Sequence, residues 1–292
     1  MKKLEYNNVL DLFCGCGGMS LGFEEAGYHA LLGIDIWKDA LETYKYNHKQ
    51  SKTLCADIAS LNPSDVASLL DGNDVDVIIG GPPCQGFSIA GKRIVEDDRN
   101  KLYKGFVRMV NYFQPKAFVM ENVPNILSIG GGAVKEAIIK DFEELGYHIE
   151  VQVLLASDYG VPQNRRRAIF VGTRNGMAYE FPTPGNLPMV TSKEALSDLP
   201  DYSLPEGSPY PLGAMSDYQR FIRKESLGVY NHDITIHTQR TKEIIAMVPD
   251  GGNYKDLPVE LQQTRKVHIA WTRLNSEKPS FTIDCGHNHH FH

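Results

Sequence analysis

The residues best suited to chemistry in this sequence stand where short apolar runs end. In GGPPCQGFS, residues 80–88, one thiol, Cys84, follows two prolines. Proline fixes φ and removes a backbone donor, so Pro82 and Pro83 keep the segment from relaxing into a helix and hold the thiol in one direction. That suits a nucleophile, although the commonest fate of a lone cysteine is as a small buried hydrophobe. In FVMENVPN, residues 118–125, an apolar run gives out at Glu121. A carboxyl group leaving a buried strand is costly unless hydrogen-bonded or protonated, and a proton-bearing carboxyl is what a general acid requires. The plainer role for Glu121 and Asn122 is to cap a loop. VPQNRRRAIFVG, residues 161–172, brings Arg165, Arg166 and Arg167 to the start of a further apolar run. Alone, they read as a charged surface.

The elements that must position these groups have α/β character. VLDLFCGCGGMSLGFEEAGY, residues 9–28, reads strand, glycine turn, helix. Gly15, Gly17 and Gly18 let the backbone pass close to a ligand, and Asp35 closes the next apolar run, near where an acid grips a ribose hydroxyl in a Rossmann unit. Ser20 stands where the third glycine of G-x-G-x-x-G would be, which disfavours a dinucleotide pyrophosphate and suits a nucleoside without phosphates. A purely structural turn is the competing reading. Strands are expected at 9–13, 30–34, 75–79, 117–120, 148–155 and 168–171. Between them Leu102, Phe106, Met109, Val110 and Phe113, and then Val134, Ala137, Ile138, Phe142 and Leu145, fall at helical spacing. Alternation of this kind predicts βαβ units and a parallel sheet. From about residue 175, proline and glycine interrupt every periodic segment, as in FPTPGNLP and VPDGGNYKDLP. The expected division is a catalytic and cofactor-binding domain over 1–175 and a loop-rich region over 176–292, whose irregular surface suits recognition.

Taken together and in order, DLFCGCGG, PPCQGFS, ENV and QNRRR resemble the C5-cytosine DNA methyltransferases of bacterial restriction-modification systems, over roughly residues 8–175. The resemblance implies a Rossmann-like sheet that binds S-adenosylmethionine, a cofactor without a pyrophosphate to cradle. It places Phe13, Gly15 and Gly17 in the cofactor loop, Asp35 at the ribose, Ile36 on the adenine face, Asp57 of CADI at the adenine amino group, and Pro83 beside the cofactor. It implies that the Cys84 thiolate attacks carbon 6 of a cytosine flipped out of duplex DNA. Glu121 would meet ring nitrogen 3, and Arg167 and Arg165 would clamp the pyrimidine oxygen or a neighbouring phosphate. The segment after Ser88, with Ile89, Gly91, Lys92 and Arg93, would close over the flipped base. The RNA-methylating branch shares these motifs, but its Cys-Phe-Thr tripeptide is absent here.

With 292 residues, 42% hydrophobic and 23% charged, the chain has the composition of a soluble globular protein. Five cysteines and no apolar run behind the N-terminal lysines predict a reduced, cytoplasmic protein without a disulfide framework. A formal net charge of -6 excludes a surface coated in positive charge but not a basic cleft. Two local clusters are candidates for one: Arg165, Arg166, Arg167 and Arg174, and then Arg265, Lys266, His268 and Arg273 around Trp271. The crowded spacing of Cys285, His287, His289, His290 and His292 does not suit tetrahedral zinc, and no metal is expected. The family's later arginine-containing segment and closing GN-type motif are not found. The resemblance therefore also raises an incomplete recognition region, and a second subunit that supplies the missing motifs or a catalytically incomplete DNA-binding chain.

Overall fold

The computed structural model describes residues 7–83, 100–262, 272–283 and 290–291. Cys84, the segment that follows it to residue 99, and Trp271 with Arg265, Lys266 and His268 lie outside the described residues, as do Cys285, His287 and His289. The chain divides into two compact units, 1–154 with 166–182, and 155–165 with 183–292. The sequence reading drew one boundary near 175; the contacts instead assign Arg165 and the ten residues before it to the second unit.

The first unit is built on a seven-stranded sheet in the order β3-β2-β1-β4-β5-β8-β6. Its strands are β1 (Asn8–Leu12), β2 (His29–Asp35), β3 (Lys52–Cys55), β4 (Val77–Gly80), β5 (Ala117–Asn122), β6 (His148–Leu155) and β8 (Arg166–Thr173), with the two-residue β7 (Gln163–Asn164) outside this sheet. From β3 to β5 every pairing is parallel, whereas β5 and β8 run antiparallel, with Glu121 opposite Ile169 and Asn122 opposite Ala168. The parallel sheet expected from the alternation is found from β3 to β5, and β8 adds an antiparallel strand to it. A continuous apolar run such as AIFVG shows that a strand is buried on both faces but carries no record of its direction. β1, β2 and β3 succeed one another towards one edge, and β4 and β5 towards the other. The order reverses between β1 and β4, and the carboxyl ends of those two strands form the crevice where open α/β sheets hold ligands.

The helices that flank the sheet are α1 (Gly18–Glu25), α2 (Lys38–Asn47), α3 (Pro63–Ser68), α4 (Lys101–Phe113) and α5 (Ala133–Glu143). Most of the residues in the stripes read from sequence form their inner faces, whereas Leu102 lines a cavity. Phe106, Met109 and Val110 of α4 are fully buried, as are Val134, Ile138 and Phe142 of α5. Phe118 of β5 meets Phe106 edge-on with ring centroids 5.9 Å apart and packs against Phe142 at 4.2 Å. Each such side chain contributes roughly 1.5–3 kcal/mol by leaving water. Gln114, at φ 48°, ends α4, and Pro115 prevents its continuation.

The second unit has short helices, Ser192–Leu196, Asp217–Ile222, Gln239–Met247 and Val259–Gln262, between irregular segments. Two of them begin with capping boxes, on Thr191 and on Ser216. Ile244, Val248 and Leu257 form a small core. Arg223, stacked 3.6 Å over the Tyr210 ring, makes a buried ion pair with Asp198. Among the described residues no helix is long and apolar enough to cross a membrane.

Candidate functional site

The site grows from the turn after β1. Phe13 takes a left-handed conformation, φ 61°, which a bulky side chain adopts only under constraint. That is why β1 ends at Leu12 rather than at the expected residue 13. The Gly15 N–H donates to Asp35 Oδ2 at 2.8 Å, and the Trp37 N–H donates to Asp35 Oδ1 at 2.9 Å. One carboxylate at the end of β2 thus ties down both the glycine turn and the approach to α2, with lone pairs left on both oxygens for a ligand hydroxyl.

Gly17 also has a packing task that the sequence did not announce. At φ 92° it precedes α1, and a Cβ on it would collide with the His48 ring and stand 2.8 Å from Tyr44 Cδ2. Its missing side chain makes room for the rings of Tyr44 and His48. Ser20, in the place of a third glycine, donates to Asp11 Oδ2 at 2.6 Å and shares a 2.9 Å hydrogen bond with the Tyr44 hydroxyl. Burial pushes the Asp11 carboxyl up to about 7, opposed by the Ser20 hydrogen bond and reinforced by the charge of Asp35. Burial likewise pushes up the Cys14 thiol, with Asp11 and Asp35 adding to it. Cys14 is an inert core thiol rather than a nucleophile.

A cavity of about 450 Å³ opens beside this turn, lined by Phe13, Asp35, Ile36, Asp57 and Pro83 together with Ala56, Ile58, Ala59, Gly81 and Leu102. Most of the residues proposed from sequence for cofactor binding are here in one place; Gly15 is joined to it through Asp35, and Gly17 is not among the lining residues. Ile36 is 69% exposed, an apolar side chain left for a ligand to cover. Asp57 Oδ1 accepts from the Ala59 N–H at 2.9 Å, and among the described residues Oδ2 has no hydrogen-bond partner. A cavity lined mostly by apolar side chains together with two carboxylates fits an adenosyl group, whose ribose hydroxyls and exocyclic amine are donors, and among the described lining residues there is no cation to hold a pyrophosphate.

At the end of β5, Glu121 Oε1 accepts from Arg167 Nε at 2.7 Å, with both side chains about three-quarters buried. A methyl group added at Gly81 would stand 3.3 Å from Glu121 Oε2, so the carboxylate borders the segment that leads into Cys84. Asn122, 5% exposed, donates from Nδ2 to the Pro82 carbonyl at 2.9 Å and accepts the Val123 N–H. That anchor on the double proline escaped the sequence reading, where the ENV motif pointed only to the acid.

The first arginine cluster disperses. Arg167 faces Glu121, whereas Arg174 stacks 5.2 Å over Tyr147 as a structural cation, and Arg166 is exposed. Arg165 lies in the second unit, where its carbonyl accepts the Ala156 N–H at 2.9 Å. In the second cluster Arg273 donates to the carbonyls of Val248 and Ile245, which closes the end of the Gln239–Met247 helix.

Comparisons with known proteins agree with this geometry. Residues 7–278 match the C-5 cytosine-specific DNA methylase family. The chain is 41% identical over 273 residues to the type II methyltransferase M.DdeI of Desulfomicrobium norvegicum, covering 89% of this chain and 65% of that protein. It is 36% identical over 277 residues to M1.HphI of Haemophilus parahaemolyticus, covering 94% and 69%. The chain thus spans about two-thirds of the length of these relatives. A crystal structure of a prophage-encoded E. coli protein, described as a DNA modification methyltransferase, superposes with a TM-score of 0.76 at 27% identity, covering 94% of this chain and 82% of that one. A Spodoptera frugiperda DNMT2 variant, at 24% identity and a TM-score of 0.53, shares the fold. With the family model matching most of its length and 69% of a relative covered at 36% identity, this chain belongs to the C-5 cytosine-specific DNA methylase family.

Proposed function

We propose that the protein transfers a methyl group from S-adenosylmethionine to carbon 5 of a cytosine flipped out of a specific duplex DNA sequence. The observation that carries this reading is that, at one sheet edge, the adenosyl-shaped cavity, the Glu121–Arg167 pair and the double proline before Cys84 adjoin. Phe13, Ile36 and Pro83 would flank the adenosyl group, Asp35 would accept from the ribose, and Asp57 Oδ2 would accept from the adenine amine. When bound, S-adenosylmethionine supplies an electrophilic methyl group on a sulfonium centre.

Carbon 5 of cytosine is a weak nucleophile. Addition of the Cys84 thiolate to carbon 6 forms a carbon–sulfur bond and pushes the 5,6 electron pair into the ring, where Glu121 supplies a proton or hydrogen bond to nitrogen 3. The resulting enamine makes carbon 5 able to take the methyl group. Loss of the carbon 5 proton to a base then restores the double bond and expels the thiolate. Arg167, held against Glu121, would orient that carboxyl and meet the pyrimidine oxygen, and Arg165 would contact the adjoining phosphate. Unpairing the base costs a few kcal/mol, which contacts from the loop-rich second unit to the duplex would offset.

The test is transfer of a labelled methyl group to duplex DNA by the chain alone, with the product base identified. 5-Methylcytosine from wild type and none from Cys84→Ser, at unchanged affinity for S-adenosylhomocysteine, is expected. Full activity in Cys84→Ser would overturn the mechanism. RNA offered in the same assay tests the substrate class, and adding a second chain tests whether one is required.

A further inference from the structure

The turn that carries Asp57 is gripped from outside by α4. Arg108 Nη2 donates to three carbonyls of that turn, Ile58 at 2.7 Å, Ala59 at 3.1 Å and Leu61 at 3.1 Å. One turn earlier along the helix, a Cβ on Gly105 would stand 2.6 Å from the Ile58 carbonyl oxygen, so α4 rests directly on the turn's backbone. Leu102, one turn earlier again, lines the same cavity as Asp57. The turn in its own right is tight. The Ser60 and Leu61 N–H groups donate to the Asp57 carbonyl at 3.1 and 3.0 Å, while Asp57 Oδ1 is tied to the Ala59 N–H. The direction of Oδ2 is therefore set by the orientation of the turn as a rigid piece.

A half-buried guanidinium is an expensive way to pack a helix, and an apolar side chain would cover Ile58 at lower cost. Among the described residues Arg108 meets no carboxylate; its donors go to these carbonyls alone. Carbonyls gathered on one side of a turn repel one another, and a charged donor shared among them fixes their common direction. We propose that Arg108 is a positioning residue for cofactor recognition: by clamping the 58–61 carbonyls it aims Asp57 at the exocyclic amine of the adenosyl group and so sets selectivity for adenine over a 6-oxo purine. The proposal rests on the reading that Asp57 accepts from that amine.

The test compares calorimetric binding of S-adenosylhomocysteine and S-inosylhomocysteine, in which the amine donor becomes a carbonyl acceptor. Wild type should favour the adenosyl compound by about tenfold or more, the worth of a hydrogen bond to a charged group. Asp57→Ala should abolish the preference, and if it does not, the reading of Asp57 fails. Arg108→Met, which keeps the stem but no donor, should reduce the preference to within about threefold while the protein remains folded by circular dichroism. A wild-type preference in Arg108→Met, alongside its loss in Asp57→Ala, overturns the clamp and leaves the Asp57 reading standing. Should Arg108→Met fail to fold, Arg108→Lys decides on the same two ligands. A lysine keeps the charge but not the planar fork, so a reduced preference supports the proposal and an unchanged one refutes it.

Discussion

Glu121 and Asn122 are neighbours in sequence with opposite duties. The alternation of β5 sends the acid towards Arg167 and the amide into the base of the Pro82–Pro83 segment. Glu121→Gln keeps the shape and removes the ability to hold a transferable proton. Its turnover number for methyl transfer should fall by about 100-fold or more, the usual worth of a positioned acid, while S-adenosylhomocysteine affinity stays within about twofold. Equal loss of both would mean that the carboxylate serves the cofactor rather than the base. Asn122→Ala strands a buried carbonyl on Pro82 and the N–H of Val123. Unfolding in urea should show a loss of about 1–3 kcal/mol, and wild-type stability would show that water or another donor replaces the amide.

Among the elements, the glycine turn, α1 and α2 form one packed unit. His48 is the pivot: its side chain is 2% exposed, its Nδ1 bonds Glu24 Oε2 at 2.7 Å, and its ring lies 4.3 Å from that of Tyr44. Gly17→Ala therefore meets three penalties, the positive φ, the imidazole and the edge of the Tyr44 ring. It should cost more than about 2 kcal/mol, above the roughly 1 kcal/mol of left-handed strain alone. His48→Ala removes the nearer obstacle but neither the strain nor the approach of Tyr44 Cδ2, so a double-mutant cycle should show a favourable coupling of about 1 kcal/mol or more. Additive costs would place the effect of Gly17 in its backbone and in Tyr44 rather than in the imidazole. What sequence could show about these elements follows from distance along the chain. The strands around the glycine turn and the stripes of α4 and α5 are local patterns and were legible, as were Glu121 and Asp35 at run ends, whereas Asp57 came only through the resemblance of CADI. β3 was not: Lys52–Cys55 is four residues long, has no buried residue and sits at the sheet edge, so it carries no hydrophobic signal. The packing of Gly17 on His48, the hold of Asn122 on Pro82 and that of Arg108 on Ile58 join residues 31, 40 and 50 apart. No local pattern announces them.

For the molecule as a whole, Asp11 couples folding to pH. It lies 1% exposed in the central strand β1, bonded to Ser20, so α1 and, through the Tyr44 hydroxyl, α2 close over it. Its carboxyl, pushed up to about 7 from an ordinary 3.8, keeps a proton in the folded protein at pH values where the unfolded chain has released it. Between those two values the native state binds the extra proton, so the sign is fixed: stability falls as pH rises, by up to about 1.4 kcal/mol per unit. Below the lower value both states are protonated and above the upper both are ionised, so the contribution of this residue levels off. Other carboxylates titrate at the acid end of the interval, and a single stability profile would mix them. Asp11→Asn separates the effect, because the amide keeps the shape and cannot ionise. Measured by urea unfolding at several pH values from about 4 to 7, the stability of the variant relative to wild type should rise with pH by about 1 kcal/mol or more. A constant difference would mean that Asp11 is already ionised in the fold, with Ser20 and Tyr44 stabilising a charge beneath the cofactor turn instead of a neutral acid.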